Sequence, residues 1–179
     1  MEHNIIIEPT RDERLATALA DLGRSLAMRP ETDGGAEHEW AERAVELAVK
    51  HPDPFVRSKL AQIGSLRQVK ALAKDEHVGV RAACGDNKLT IDEDLQMLLA
   101  TDKEAVVVHS LLDGVTPYMS VARVLVKSPH MSVRLRLAFQ NLASELLEVL
   151  ASDTHERVAY VAQYKLAMKE ERLARRKNS

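Results

Sequence analysis

The sequence predicts an all-α protein made of short stacked repeats, and three observations carry that prediction. A valine followed by an arginine recurs with its surroundings at Val56-Arg57, Val80-Arg81 and Val133-Arg134, with degenerate copies at Val107-Val108 and Val158-Ala159, the valines being 24, 27, 26 and 25 residues apart. Five positions before each valine stands a turn residue (His51, Asp75, Asp102, Ser128 or Asp153), and four positions after it stands Leu60, Cys84, Leu111, Leu137 or Ala162. A spacing of four returns a side chain to the same helical face. Finally, 45% of the chain is hydrophobic but only 3% is aromatic, a composition that suits closely packed aliphatic helices better than a β-sandwich. A repeat this short cannot bury its own apolar face, so its stability comes from stacking on its neighbours.

Taken in order, residues 1–9 are expected to form an extended lead-in closed by Pro9. Thr10 and Glu13 then have the spacing of a capping box, in which hydroxyl and carboxylate each satisfy a free backbone N–H. Leu15, Ala18, Leu19, Leu22 and Leu26 follow as one apolar stripe. Pro30 and Gly34-Gly35 mark a break before a second helix, about Ala36 to Lys50, with Trp40, Ala44, Leu47 and Ala48 on one side. These first fifty residues read as an atypical cap that shields the apolar end of the array.

From His51 onward each repeat should hold two short helices. Pro54 suits a first helical turn, Thr116-Pro117 reads as an N-cap with proline at N1, and Ser144-Glu145 or Thr90 to Asp92 can start other first helices. Gly64, Asp86-Asn87, Asp113-Gly114 and Gln140-Asn141 sit where second helices should end, and glycine and asparagine tolerate the left-handed conformation used there. The last repeat runs on as one long helix through Lys169 to Lys177, whose cations favour the negative pole of the helix. The expected organisation is one structural domain: a lead-in and helical cap over 1–50, the array over 51–168, and a basic helix end over 169–179.

The formal charge is −2, but residues 1–50 hold 11 acids and 6 bases whereas residues 51–179 hold 16 acids and 19 bases. That asymmetry can orient a molecule and is too weak to announce nucleic-acid binding. Cys84 is the only cysteine, which excludes an intrachain disulfide, and its repeated apolar position points to a buried, inert thiol. Ile5-Ile6-Ile7 is too short for a signal or membrane segment, so a cytoplasmic location without membrane attachment is expected.

The leucine-rich first helix, acidic turn and Val-Arg over roughly residues 44–168 resemble the HEAT-like repeat and its short relative, the leucine-rich variant repeat. The resemblance implies a right-handed α-α superhelix, an armadillo-type α-solenoid of about five degenerate repeats. It also implies a ladder between neighbouring repeats, made by a turn aspartate and an arginine six residues on. Asp75 and Arg81 match that pair; Arg57 and Arg134 keep the arginine alone, and Asp102 and Asp153 the acid alone, so the ladder is expected to cross between repeats and to be incomplete. The cysteine cluster that some leucine-rich variant proteins use for iron and sulfur is missing, and no cofactor is expected.

Within the repeats, Arg57, Arg81 and Arg134 are weighed as ladder residues against a basic stripe. Lys59 and Arg136 stand three positions after their valines, with Ser110 in the same register, and His109 and Tyr160 stand two positions after theirs, where the resemblance implies a concave face. Lys59, Arg81, His109, Arg134, Arg136 and Tyr160 thus make up the expected partner-binding set. His77, His130 and His155 share one turn position, but stacked helices lie about 8–10 Å apart while zinc needs nitrogens at about 2 Å, so no metal site is expected. Asp92-Glu93-Asp94 suits a helix N-terminus rather than a cation.

No catalytic motif is present. The expected function is non-catalytic protein binding by an adaptor or an immunity- or antitoxin-like inhibitor, monomeric or weakly self-associating. The alternative is nucleic-acid binding on a scaffold similar to that of HEAT-like DNA alkylpurine glycosylases. It finds Trp40 as the only tryptophan and no aromatic-and-acid constellation beside it.

Overall fold

The structure, a computed structural model, describes residues 10–27, 43, 44, 46–87 and 92–177. The expected lead-in over 1–9, the break at Pro30 and Gly34-Gly35, Trp40, Thr90 and the side chain of Leu26 lie outside the described residues. Every regular element among those residues is helical. The chain forms two compact halves, Met1–Thr90 and Ile91–Ser179.

In the first half, α1 (Arg11–Ala27), α2 (Pro54–Ile63), α3 (Leu66–Leu72) and α4 (Val78–Gly85) follow in order, with further helical residues at 43–44 and 46–48. Helix α2 packs against α1, α3 and α4, and α3 also packs on α4. The second half contains α5 (Glu93–Ala100), α6 (Ala105–Gly114), α7 (Met119–Leu125), α8 (Met131–Phe139), α9 (Ser144–Ala151) and α10 (Glu156–Lys177). Here α6, α8 and α10 pack in succession, and each also packs on the helix before it, α5, α7 or α9. The helices of the first row, α5 and α7, are likewise neighbours.

The repeated sequence positions explain this packing. Val56, Val80, Val107, Val133 and Val158 are all fully buried, as are Leu60, Cys84, Leu111, Leu137 and Ala162 one turn later. Each buried valine or leucine contributes about 1.5–3 kcal/mol relative to exposure. Burial pushes the Cys84 thiol up to about 12, so it stays protonated. The turn residue five positions before each valine folds its own turn. Asp75, Asp102 and Asp153 accept the N–H two residues on at 2.8–2.9 Å, Ser128 Oγ accepts that of His130 at 3.3 Å, and His51 Nδ1 that of Asp53 at 3.2 Å. This geometry needs a short side-chain acceptor, which accounts for the residue types found there.

Helix boundaries agree with the sequence in part. Thr10 and Glu13 form the capping box, with Thr10 N–H to Glu13 Oε2 at 2.8 Å and Glu13 N–H to Thr10 Oγ1 at 3.2 Å. The Thr10 N–H, and after it the Thr10 hydroxyl at 3.1 Å, donate to the Glu13 carboxylate and hold it below its ordinary value. Asp53 caps α2 with Pro54 at N1, and Asp92 caps α5. Thr116-Pro117 does not start a helix: α7 begins at Met119, where the Tyr118 N–H is held by Gln96 Oε1 at 3.0 Å. Ser144 is the first residue of α9 rather than its cap, which is Ala143.

Three further expectations are corrected. The buried face of α1 is Ala16, Ala20 and Gly23, whereas Leu15 is 40% exposed and Ala18 is also exposed. The cause is close approach: a Cβ on Gly23 would stand 2.3 Å from Gln68 Oε1, and Gln68 Nε2 donates to the Leu19 carbonyl at 3.0 Å. At Gly23 a small residue is required because the buried Gln68 amide occupies the space a side chain would need. Leu47 is 65% exposed while Ala48 is buried, since the adjacent positions point about 100° apart on a helix. No described residue has positive φ; Gly64 ends α2 in extended conformation, and glycine is needed there because a Cβ would meet the Leu60 carbonyl at 2.5 Å.

Candidate interaction surface

A second helix that buries its valine and the residue one turn later must expose the opposite side. On α8 that side is Ser132, Leu135, Arg136 and Phe139, at the i, i+3, i+4, i+7 spacing of a single helix face. Helix α6 presents Val106, His109, Ser110 and Asp113 in the same register. Between α6 and α8 lies an open groove of about 250 Å³ lined by His109, Met131, Ser132, Leu135, Arg136 and Phe139. Phe139 is 60% exposed, and on α10, which packs next to α8, Tyr160 is 69% and Tyr164 58% exposed. Aromatic side chains on solvent beside an arginine are the composition enriched at protein–protein contacts.

The polar groups of the groove are already paired to one another. His109 Nε2 lies 3.0 Å from Ser132 Oγ, and Arg136 forms an ion pair with Asp113. Burial, with Arg136 and His130 adding like charge, holds the His109 pKa below its ordinary value, so the ring is neutral at pH 7. This groove is therefore mostly apolar, with one balanced charge pair.

By sequence, Arg81 and Arg134 belong to both the ladder and the binding face; Arg81 is buried, Arg134 is half-buried, and both are engaged in ladder contacts. Arg134 Nε and Nη2 grip the Asp153 carboxylate at 2.6 and 3.1 Å, and its Nη1 donates to the Ser128 carbonyl at 2.7 Å. Arg57 does the same with Asp75, at 2.7 and 3.0 Å, and with the His51 carbonyl at 2.6 Å. Arg81 is 9% exposed and donates to the Asp75 and Glu76 carbonyls. The Asp75 carboxylate thus goes to Arg57 of the preceding repeat, and Arg81 takes the backbone of its own turn. The match of Asp75 with Arg81 is corrected accordingly.

Charge pairing sets the ionisation of these acids. Burial pushes the Asp75 carboxyl up, but the Arg57 hydrogen bond, the His77 N–H and the charge of Arg57 together outweigh it and leave the carboxyl below the ordinary range. For Asp153 the Arg134 hydrogen bond is the largest influence and its pKa is likewise lowered. Lys59 lies half-buried on α2 in the first half. His130 Nε2 contacts the Lys103 carbonyl at 3.1 Å. Among the described residues no three His, Cys, Asp or Glu side chains are placed to share a metal ion, and no helix is long and apolar enough to cross a membrane.

Sequence reasoning missed Phe139, Leu135 and Tyr164. The signal was available: Phe139 is one of two phenylalanines and closes the face begun by Ser132. Compared with family models, curated proteins and solved structures, the chain finds no match in any of the three.

Proposed function

We propose that the chain is a non-catalytic protein-binding module, an adaptor or an immunity- or antitoxin-like inhibitor, whose repeats continue as a right-handed HEAT-like α-α superhelix. The groove between α6 and α8, with the exposed aromatics Phe139, Tyr160 and Tyr164, is the observation that carries the reading. A folded helical surface needs little ordering on binding, so apolar contact converts efficiently into affinity. The partner is a protein segment with apolar side chains for Phe139 and Leu135 and a polar group for the Arg136–Asp113 pair. Burial of Arg81, the engagement of Arg134 with Asp153 and the pairing of Arg136 with Asp113 weigh against a phosphate-tracking groove.

The test is recovery of the tagged protein from its source cell at moderate salt after nuclease treatment. A stoichiometric protein should be retained by wild type and lost with Phe139→Ser combined with Tyr160→Ser, at unchanged thermal stability. Retention of the same partner by the double variant, or recovery of nucleic acid alone, would overturn the proposal.

A further inference from the structure

We infer that the second half carries a separate binding site for a small phosphate-bearing molecule, in the cleft between the start of α9 and the last two turns of α10. The cleft has a volume of about 600 Å³ and is lined by Ser144, Lys169, Arg172, Leu173, Arg175 and Arg176. Four of these six side chains are cations and none is a carboxylate, in a chain whose acids outnumber its bases. Such clustering raises the positive potential that an anion meets at this surface.

The arrangement is specific. Lys169, Arg172 and Arg176 lie three and four residues apart, so they share one face of α10, and Leu173 lies one turn after Lys169 on the same side. Glu171 neutralises Arg175 at 2.6 Å, which leaves the guanidinium groups of Arg172 and Arg176 without a carboxylate among the described residues. Lys169 is anchored by a hydrogen bond to the Leu142 carbonyl. Ser144 adds a hydroxyl from the opposite wall.

The helix dipole accounts for cations only within the last turn. Lys169 and Arg172 stand eight and five residues before the end of α10 at Lys177 and fall outside it. Two planar guanidinium forks one turn apart match the oxygens of a phosphate or diphosphate, which accept paired N–H donors. The volume lies within the range of small-molecule sites, about 300–1,000 Å³, and Leu173 supplies an apolar contact for the rest of the ligand. None of these residues lines the α6–α8 groove, so the site stands or falls independently of the protein-binding reading.

The test is calorimetric titration of the full chain with inorganic pyrophosphate and, separately, with a twelve-nucleotide single-stranded DNA, for wild type and for Arg172→Gln combined with Arg176→Gln. Both arginines are exposed, and circular dichroism should show unchanged folding. Wild type should bind pyrophosphate saturably with one site, and the double variant should bind at least about tenfold more weakly. Three results would overturn the site: no saturable binding at millimolar pyrophosphate, equal binding by the variant, or DNA binding that displaces pyrophosphate and falls steeply with salt. The last would make the surface a polyanion track.

Discussion

Arg57 and Arg134 each join three things at once: the backbone of their own turn, the carboxylate of the next repeat, and the buried boundary between the two. Because the Asp153 side chain is 6% and Arg134 14% exposed, removing one partner strands the other. Arg134→Met should therefore cost about 3 kcal/mol, measurable by urea unfolding, with most of the loss coming from the unpaired Asp153. The depressed carboxyl pKa values of Asp75 and Asp153 add a pH dependence with a definite sign. Their stabilisation is fully present above the unfolded-state value near 4 and is lost as pH falls below it through the folded values. Asp153→Asn should flatten the decline in melting temperature between pH 5 and 3 that wild type shows, since one group driving the decline is gone; equal slopes would refute this. At the groove, the His109 ring should titrate by NMR below its ordinary value, and Arg136→Gln should move it upward by removing a like charge.

Two features of the helices concern how they end and how closely they approach. Asn87 Nδ2 donates to the Ala61 and Gly64 carbonyls at the end of α2, and Gln140 Nε2 donates to the Leu112 carbonyl in α6, so polar residues after a second helix tie down the preceding one. Asn87 is buried, and Asn87→Ala should cost about 1–3 kcal/mol because its carbonyl partners lose a donor away from water. The α1 contact makes a sharper test. Alanine is a better helix former than glycine by about 1 kcal/mol, but Gly23→Ala pushes a methyl into the Gln68 amide, which already holds Ser65 N–H at 2.8 Å and the Leu19 carbonyl. Overpacking of about 1–3 kcal/mol should win, and a higher melting temperature for Gly23→Ala would show that α1 yields instead.

For the molecule as a whole, the repeated valines perform one task in many places. Val56 and Val133 are both fully buried on second helices of different halves. Either Val→Ala change should cost about 2 kcal/mol from lost transfer energy and the cavity left behind. Each site belongs to its own compact half, so the free-energy losses should add within about 0.5 kcal/mol in the double variant; a large deviation in denaturant unfolding would mean coupling beyond local stacking. Function belongs to this scale too. A surface assembled from α6, α8 and α10 exists only when three helices distant in sequence lie side by side.

The helical class, the register of the buried valines and the turn residues, and the capping box at Thr10 were all legible in the sequence, because each depends on spacing within a few residues. Which acid an arginine takes was only half legible. The partners lie 18 and 19 residues apart on successive repeats, and both the turn carbonyls of the same repeat and the carboxylate of the next were within reach until packing chose. The α1 face could not be read from its leucines alone, since the glutamine of α3 that fills the space beside Gly23 is distant in sequence. The groove escaped for a related reason. Charge at one register position suggested a cationic stripe, but tertiary contact paired Arg136 with Asp113 and left Phe139 in solvent. Local pattern determines which side of the valine-bearing helix of each repeat is buried, whereas pairing of charges and juxtaposition of exposed faces depend on neighbours that sequence distance does not reveal.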